Sequence, residues 1–194
     1  MGTSVIVELS QNSKNWADII EEISRLEKKI FPKHESLARS FHEDLKKKNC
    51  GLLYSDVNGE VAGYVMYSWP SSLFASISKL AASVEYSSIA EEKGKPVRVP
   101  NSEEEYDLLI ETYLNGNVVK ENYRRQGHGE ALLKAAIQKC RTRNIQRICL
   151  YVDPSRNPAM ILYQKLGFQV DNLIESYYSS DRNAYRMYLD FGYE

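Results

Sequence analysis

Two apolar runs, Leu52-Leu53-Tyr54 and Val61 to Tyr67, flank the dipeptide Asn58-Gly59. That dipeptide suits a two-residue hairpin turn, which needs φ > 0 at both central positions. An antiparallel strand pair is therefore written into the first third of the chain, and everything around it must extend or cover a sheet. Val5-Ile6-Val7-Glu8-Leu9 is a β-branched run and reads as a first strand. Trp16, Ile19, Ile20, Ile23, Leu26 and Ile30 recur at helical spacing, with Asn15 as a cap and Phe31-Pro32 as a stop. A second helix is expected from about Ser36, burying Leu37, Phe41 and Leu45 and ending in Lys46-Lys47-Lys48. Phe74 to Ala81 is again strand-like. Beyond residue 119 the order is helix (Glu130 to about Arg143), strand (Ile148 to Val152), helix (Asn157 to Leu166) and two strands, Phe168 to Glu175 and Ala184 to Phe191. Gly167 stands where a left-handed C-cap belongs. Strands mixed with crossover helices predict an α/β fold with helices on both faces of a sheet.

Composition limits what such a sheet can serve. With 194 residues and 43% apolar content, the chain suits one domain with a sizeable core. A net charge of −1 argues against a general binder of nucleic acid or membrane surfaces. No apolar run approaches the ~18 residues of a membrane span. Met1-Gly2-Thr3-Ser4-Val5-Ile6 shows neither a signal-peptide pattern nor the Ser or Thr that myristoylation wants at position 6. Cys50, Cys140 and Cys149 have no disulfide-framework or metal spacing, and the three histidines are scattered, so no metal is expected. Cys140 and Cys149 lie in core-like patterns and are poor nucleophile candidates. The expectation is a reduced protein of the cytoplasm, or also of the nucleus.

The chemically informative segment is Tyr123-Arg124-Arg125-Gln126-Gly127-His128-Gly129-Glu130, set between Val118-Val119 and an amphipathic helix with Leu132, Leu133, Ala136, Ile137 and Cys140. Two glycines at a helix start leave backbone N–H groups to face an anion, and the helix dipole and both arginines favour negative charge there. A pyrophosphate is the natural guest. No Gly-Lys-Ser/Thr follows, so the loop is not a Walker motif, and its glycine spacing is not that of a dinucleotide fingerprint. Arg124-x-x-Gly127-x-Gly129 resembles the acetyl-CoA loop of the GNAT superfamily of N-acetyltransferases. The stretch Ala159 to Phe168 (AMILYQKLGF) resembles that superfamily's late helix. The resemblance covers nearly the whole chain outside residues 82–118. It implies a mixed, mostly antiparallel central sheet of about six to seven strands with helices on both faces, and acetyl-CoA as co-substrate.

Tyr177-Tyr178 and the residues to Met187 resemble the last hairpin of ribosomal-protein and amino-terminal acetyltransferases, where paired tyrosines hold the start of a polypeptide. Phe31-Pro32 resembles that group's substrate-side turn. The acceptor implied is a peptide N-terminus; a small amine or a lysine side chain is the alternative, and an auxiliary subunit is left open. The resemblance implies direct attack of a neutral amine on the thioester, which requires a deprotonated amine, a polarised carbonyl and a proton for the thiolate. Tyr163 matches the tyrosine that serves the CoA sulfur, and a phenol of ordinary pKa ~10 suits that donation. Tyr151 stands where relatives carry a His or Glu base and would position a water or the amine instead. Leu80 and Val119 match the strand that pairs with pantetheine, and Arg124, Arg125, Gln126, Gly127, His128 and Gly129 match the pyrophosphate cradle. Ser76 stands where some relatives have a second tyrosine, and Arg156 where they have Asn.

The strand that normally runs unbroken into the acetyl-CoA loop is interrupted here. Ser78-Lys79-Leu80-Ala81 and Val119-Lys120 supply its two halves, and residues 82–118 lie between them. That segment holds eight acidic and three basic residues, which leaves the rest of the chain at +4. It reads as an inserted acidic loop or hairpin within a single domain spanning 1–194. Alternatively, Leu108 to Leu114 replaces the original strand. Loop closure is entropically cheap, so the fold should survive such an insert. Activity need not, and a weakened CoA-binding variant acting through the insert stays open.

Overall fold

The structure is a computed structural model that describes residues 4–31, 33, 35–82 and 127–192. Its elements are β1 (Ser4–Glu8), α1 (Trp16–Ile30), α2 (Phe41–Leu45), β2 (Cys50–Val57), β3 (Glu60–Ser68), β4 (Phe74–Ala82), α3 (His128–Thr142), β5 (Arg147–Val152), α4 (Asn157–Lys165), β6 (Gln169–Ser179) and β7 (Arg182–Asp190). They fall into two compact units: one runs from β1 through β4 and resumes from Gly127 to Leu150 and from Asp190, and the other is Tyr151–Leu189. The segment 82–118 lies outside the described residues apart from the backbone of Ala82, as do Pro32, Val119 and Arg124 to Gln126.

In the first unit, β1 to β5 hydrogen-bond in sequence order, antiparallel except for the parallel pair β4–β5. The expected hairpin is β2–β3, with Asn58 at φ 55° and Gly59 at φ 85° and the Gly59 N–H donating to Asp56 Oδ1 at 2.8 Å. Leu52, Tyr54, Tyr64, Met66 and Ala81 bury one face of this sheet against Ile19, Ile20 and Ile23 of α1 and Phe41 and Leu45 of α2. Alternation along β2 sends Ser55 to the opposite face, where it meets His128 of α3. Helices thus cover both faces of this sheet, as the alternation of elements predicts. The second unit is α4 and the antiparallel hairpin β6–β7, which brings the described strands to seven.

Two local expectations change. Asn15 stands at the N-cap of α1, but its side chain makes no capping bond; only its carbonyl serves, accepting from the Ile19 N–H at 3.0 Å. The second helix is one short turn, Phe41–Leu45, while residues 38–40 form a turn and 36–37 are irregular. Ser36 Oγ accepts from the Ala38 N–H, and the Leu37 N–H is taken by the Glu27 carboxylate at 2.7 Å. Serine hydroxyls and a buried carboxylate offer the backbone partners that a helix would otherwise supply. Among the described residues no helix is long and apolar enough to cross a membrane.

Candidate active site

Gly127 caps α3 in the left-handed region, at φ 69° and ψ 15°. Among the described residues a Cβ built there would meet nothing within 4 Å, so the position favours glycine for its backbone angle. The cap supplies no side-chain hydrogen bond. The amides at the start of α3 have no carbonyl inside the helix to bind, and they carry the positive end of its dipole. This turn can receive an anionic oxygen through backbone alone. Gly129 follows in the same turn, half-buried. The His128 ring faces away from that role. It is 4% exposed, and its Nδ1 shares hydrogen bonds with Ser55 Oγ at 2.8 Å and Ser4 Oγ at 3.2 Å, while the two hydroxyls meet at 2.8 Å. Burial holds the His128 pKa below the ordinary histidine value. The ring therefore pins the start of α3 to β1 and β2, and only its backbone amide is available to a phosphate.

Leu80 lies on β4 opposite Val65, half-buried. Pairing with β3 slips between Lys79 and Ile77, which leaves Ser78 as the extra residue of a bulge. Phe31 is buried at the end of α1, with its N–H on the Glu27 carbonyl and the Lys79 ammonium 3.9 Å from its ring centre. Lys79 also donates to the Glu35 carbonyl at 2.6 Å. Glu27 is fully buried; it accepts from the Tyr64 hydroxyl and lies 3.8 Å from Lys79. These groups tie the turn after α1 to β3 and β4.

The second unit gathers three of the tyrosines singled out above. Tyr151 and Tyr177 stack with ring centres 4.7 Å apart and planes 10° from parallel, and Tyr178 stands edge-on to Tyr177 at 4.9 Å. The Tyr178 hydroxyl donates to the Tyr151 carbonyl at 3.3 Å. Both Tyr151 and Tyr177 are more than a third exposed, and burial together with the neighbouring Tyr151 raises the Tyr177 pKa. An irregularity in the hairpin presents this cluster. Ile174 pairs with Ala184 and Ser179 with Arg182, so residues 175–178 of β6 face the single residue Asn183 of β7. Ser176 takes φ 53° at the bend, its N–H donates to Asn183 Oδ1 at 3.0 Å, and its hydroxyl donates to the Ser180 carbonyl at 3.1 Å. Tyr163 is buried on α4, edge-on to Phe168 at 5.9 Å.

Beside the tyrosines lies an ion pair whose carboxylate is buried and whose guanidinium is partly exposed. Asp153 Oδ2 accepts from Arg182 Nε at 2.9 Å and Nη2 at 2.7 Å, and its Oδ1 accepts from the Ser155 N–H at 2.9 Å and hydroxyl at 2.7 Å. Burial alone would raise the Asp153 pKa, but the Ser155 and Arg182 donors outweigh it and hold the carboxyl below its usual range. The Arg182 guanidinium also stands 5.1 Å from the Tyr178 ring centre.

Of the residues picked from sequence, the structure brings Tyr151, Tyr177 and Tyr178 together and sets Gly127, His128 and Gly129 in one helical turn. Sequence reading missed Glu27, Asp153, Arg182 and Asn183. Glu27 was detectable as a carboxylate on the buried stripe of Ile19, Ile20 and Ile23; the other three leave no periodic trace. Cys140 is buried, with its thiol pushed up to about 11 by burial, and Cys50 is raised for the same reason, so neither is primed as a nucleophile. Among the described residues no group of three or more His, Cys, Asp or Glu could hold a metal ion.

Residues 16–168 match the acetyltransferase (GNAT) family. Over 150 residues the chain is 31% identical to an N-alpha-acetyltransferase of Sulfurisphaera tokodaii, covering 76% of this chain and 73% of that one. The ribosomal-protein-S18-alanine N-acetyltransferase of Escherichia coli has a similar fold, with a TM-score of 0.68 at 18% identity over 99% of this chain and 96% of that one. A GNAT family acetyltransferase of Elizabethkingia anophelis, solved with acetyl-CoA bound, superposes with a TM-score of 0.60 at 14% identity, over 97% and 98% of the two chains.

Proposed function

The chain belongs to the GNAT acetyltransferase family and is an acetyl-CoA-dependent N-acetyltransferase, and from that premise we propose that its acceptor is the N-terminal amine of a polypeptide. The observation that carries the acceptor assignment is the tyrosine shelf Tyr151–Tyr177–Tyr178 on the bulged hairpin. Flat, partly exposed rings with phenolic hydroxyls suit an extended peptide, whose backbone offers both donors and acceptors and whose side chains vary. By their resemblance to a substrate-side turn, Phe31 and Pro32 are assigned to the acceptor as well. The naming of the Sulfurisphaera relative as an N-alpha-acetyltransferase points the same way.

On the donor side, Gly127, His128 and Gly129 receive the pyrophosphate through their amides, with Arg124, Arg125 and Gln126 ahead of them. The α3 turn fits such a group, since its cap is a glycine with a left-handed backbone and, among the described residues, no atom where a side chain would stand. Hydrogen bonds to a charged group of this kind contribute about 1.5–3 kcal/mol each. By the resemblance, Leu80 of β4 and Val119 are assigned to the pantetheine arm. The amine, once it has lost its ammonium proton to solvent, attacks the thioester carbonyl carbon; the C–N bond forms, the nitrogen releases its surplus proton to water, and the C–S bond breaks. Tyr163 gives its phenolic proton to the departing sulfur and recovers one from water. Tyr151 orients the incoming amine through the shelf.

The test is acetyl-CoA turnover against a mixed library of peptides with free amino termini, run for the full chain and for a form lacking residues 82–118. Peptide acetylation is expected, and turnover by the shortened form alone would show that the insert disables the enzyme. If neither form acetylates peptides while CoA still raises the melting temperature, the peptide assignment fails and small amines take its place.

A further inference from the structure

Asp153 and Arg182 stand 29 positions apart in sequence, and neither belongs to the residues that the acetyl-transfer chemistry needs. The Asp153 carboxylate is 8% exposed and the Arg182 side chain 32%, so the pair is shielded on its acidic side and partly open to water on its basic side. Every strong acceptor direction of the carboxylate is taken, two by Ser155 and two by Arg182. Asp153 is thus not held ready as a base, although it lies only two residues from Tyr151. Its contacts close a ring: from Tyr151 along the chain to Asp153, across to Arg182, from Arg182 over the Tyr178 ring, and from the Tyr178 hydroxyl back to the Tyr151 carbonyl.

We propose that the Asp153–Arg182 pair is a positioning device for the acceptor: it locks the end of β5 to the start of β7, so that the Tyr151, Tyr177 and Tyr178 rings form one fixed shelf. This inference rests on reading that shelf as the acceptor site. The physical reason is that this pair reaches from the strand carrying Tyr151 to the strand that follows Tyr177 and Tyr178, beside the Ser176–Asn183 and Ser176–Ser180 bonds that shape the bend. A stack of two exposed rings is worth about 0.5–1.5 kcal/mol and cannot by itself hold a bulged strand in register. A planar guanidinium gripping one carboxylate oxygen through two donors fixes direction as well as distance. Reactant placement is sensitive to such support, since a shift of about 1 Å can cost on the order of 100-fold in rate.

The test compares Arg182→Lys, Asp153→Asn and the reversed pair Asp153→Arg/Arg182→Asp, with Tyr177→Ala and Tyr178→Phe as reporters of the shelf. The acceptor is whichever library peptide or small amine turns over best. Acceptor KM, kcat, the acetyl-CoA dissociation constant and the melting temperature are measured for each variant. Lysine keeps the charge and loses the fork, so Arg182→Lys should fold and raise the acceptor KM by about tenfold, with acetyl-CoA affinity unchanged. The reversed pair should recover most of that loss. If Arg182→Lys lowers the melting temperature and leaves the acceptor KM unmoved while Tyr177→Ala raises it, the pair is a brace for the fold alone and the proposal is wrong. If neither tyrosine variant moves the acceptor KM, or if no acceptor turns over, the shelf reading falls and the positioning role falls with it.

Discussion

Replacing Gly127 by alanine isolates the energy of one backbone angle. The residue sits at φ 69°, and a Cβ there would touch nothing within 4 Å among the described residues, so against them the substitution adds no clash and removes no contact. What remains is the cost of holding an L-residue in the left-handed region, about 1–2 kcal/mol. For a chain of this size that corresponds to a fall in melting temperature of roughly 2–8 °C. The same substitution should weaken acetyl-CoA binding, because a chain relieving the strain rotates the first-turn amides away from the phosphates. Gly127→Asn provides the control: asparagine enters this region several times more readily than most residues and should lose less of both quantities. Equilibrium urea unfolding and calorimetric titration with acetyl-CoA measure the two effects separately. A Gly127→Ala protein as stable as the parent, within about 0.3 kcal/mol, would refute the reasoning, because the angle would then not be required. A loss above about 4 kcal/mol would refute it differently, by showing that something packs where the structure has open space.

Other substitutions give equally definite outcomes. Tyr163→Phe keeps the edge-on contact with Phe168 but removes the hydroxyl; kcat in the peptide assay should fall by about 100-fold or more, with a small change in melting temperature. Glu27→Ala strips a fully buried carboxylate from the Tyr64 hydroxyl, the Leu37 N–H and Lys79, and should cost about 3–5 kcal/mol in urea unfolding, whereas Glu27→Gln retains part of the network and should cost less. His128 has its pKa lowered in the folded state, so the unfolded chain binds its proton first as pH falls. The stability tied to the neutral ring is complete above the unfolded value of about 6.5 and drains away as pH drops from there through the lower folded value. A His128→Gln protein should therefore show a flatter stability profile below pH ~6.5 than the parent, and identical slopes would refute the assignment.

The parts of this fold that were legible are those written in short-range chemistry. Asn58-Gly59 announced its hairpin, the stripe from Ile19 to Ile23 announced α1, and Gly167 was found at φ 88° where a C-cap was expected. Sequence also named the members of the shelf, because paired tyrosines before a terminal strand form a compact local pattern. It could not reveal their arrangement. The bulge that turns Tyr177 and Tyr178 outward depends on Ser176 adopting a left-handed angle that serine seldom takes, with Asn183 seven positions later receiving its N–H. Asp153 meets Arg182 across 29 positions with no periodicity to signal it. The length of α2 was overstated because the Leu37 and Ala38 N–H groups donate to side-chain oxygens, a competition that apolar spacing does not register. His128 was singled out for its place in the glycine turn, and that local pattern gives no sign that its ring lies buried against Ser55 and Ser4.

The bend at Ser176 has a practical meaning for redesign. Its shape comes from partners lying between residues 176 and 183, namely Asn183, Ser180 and the local turn. The stretch therefore behaves as a self-templating cassette, whose outward-facing letters at 177 and 178 are free of the inside–outside alternation that governs a regular strand. Shortening or lengthening it by one residue would normally invert every side chain downstream. Here the bend can absorb such a change before Ala184 resumes its pairing with Ile174. Laboratory selection for new acceptors should accordingly find length variants in this cassette far more often than in β2 or β3.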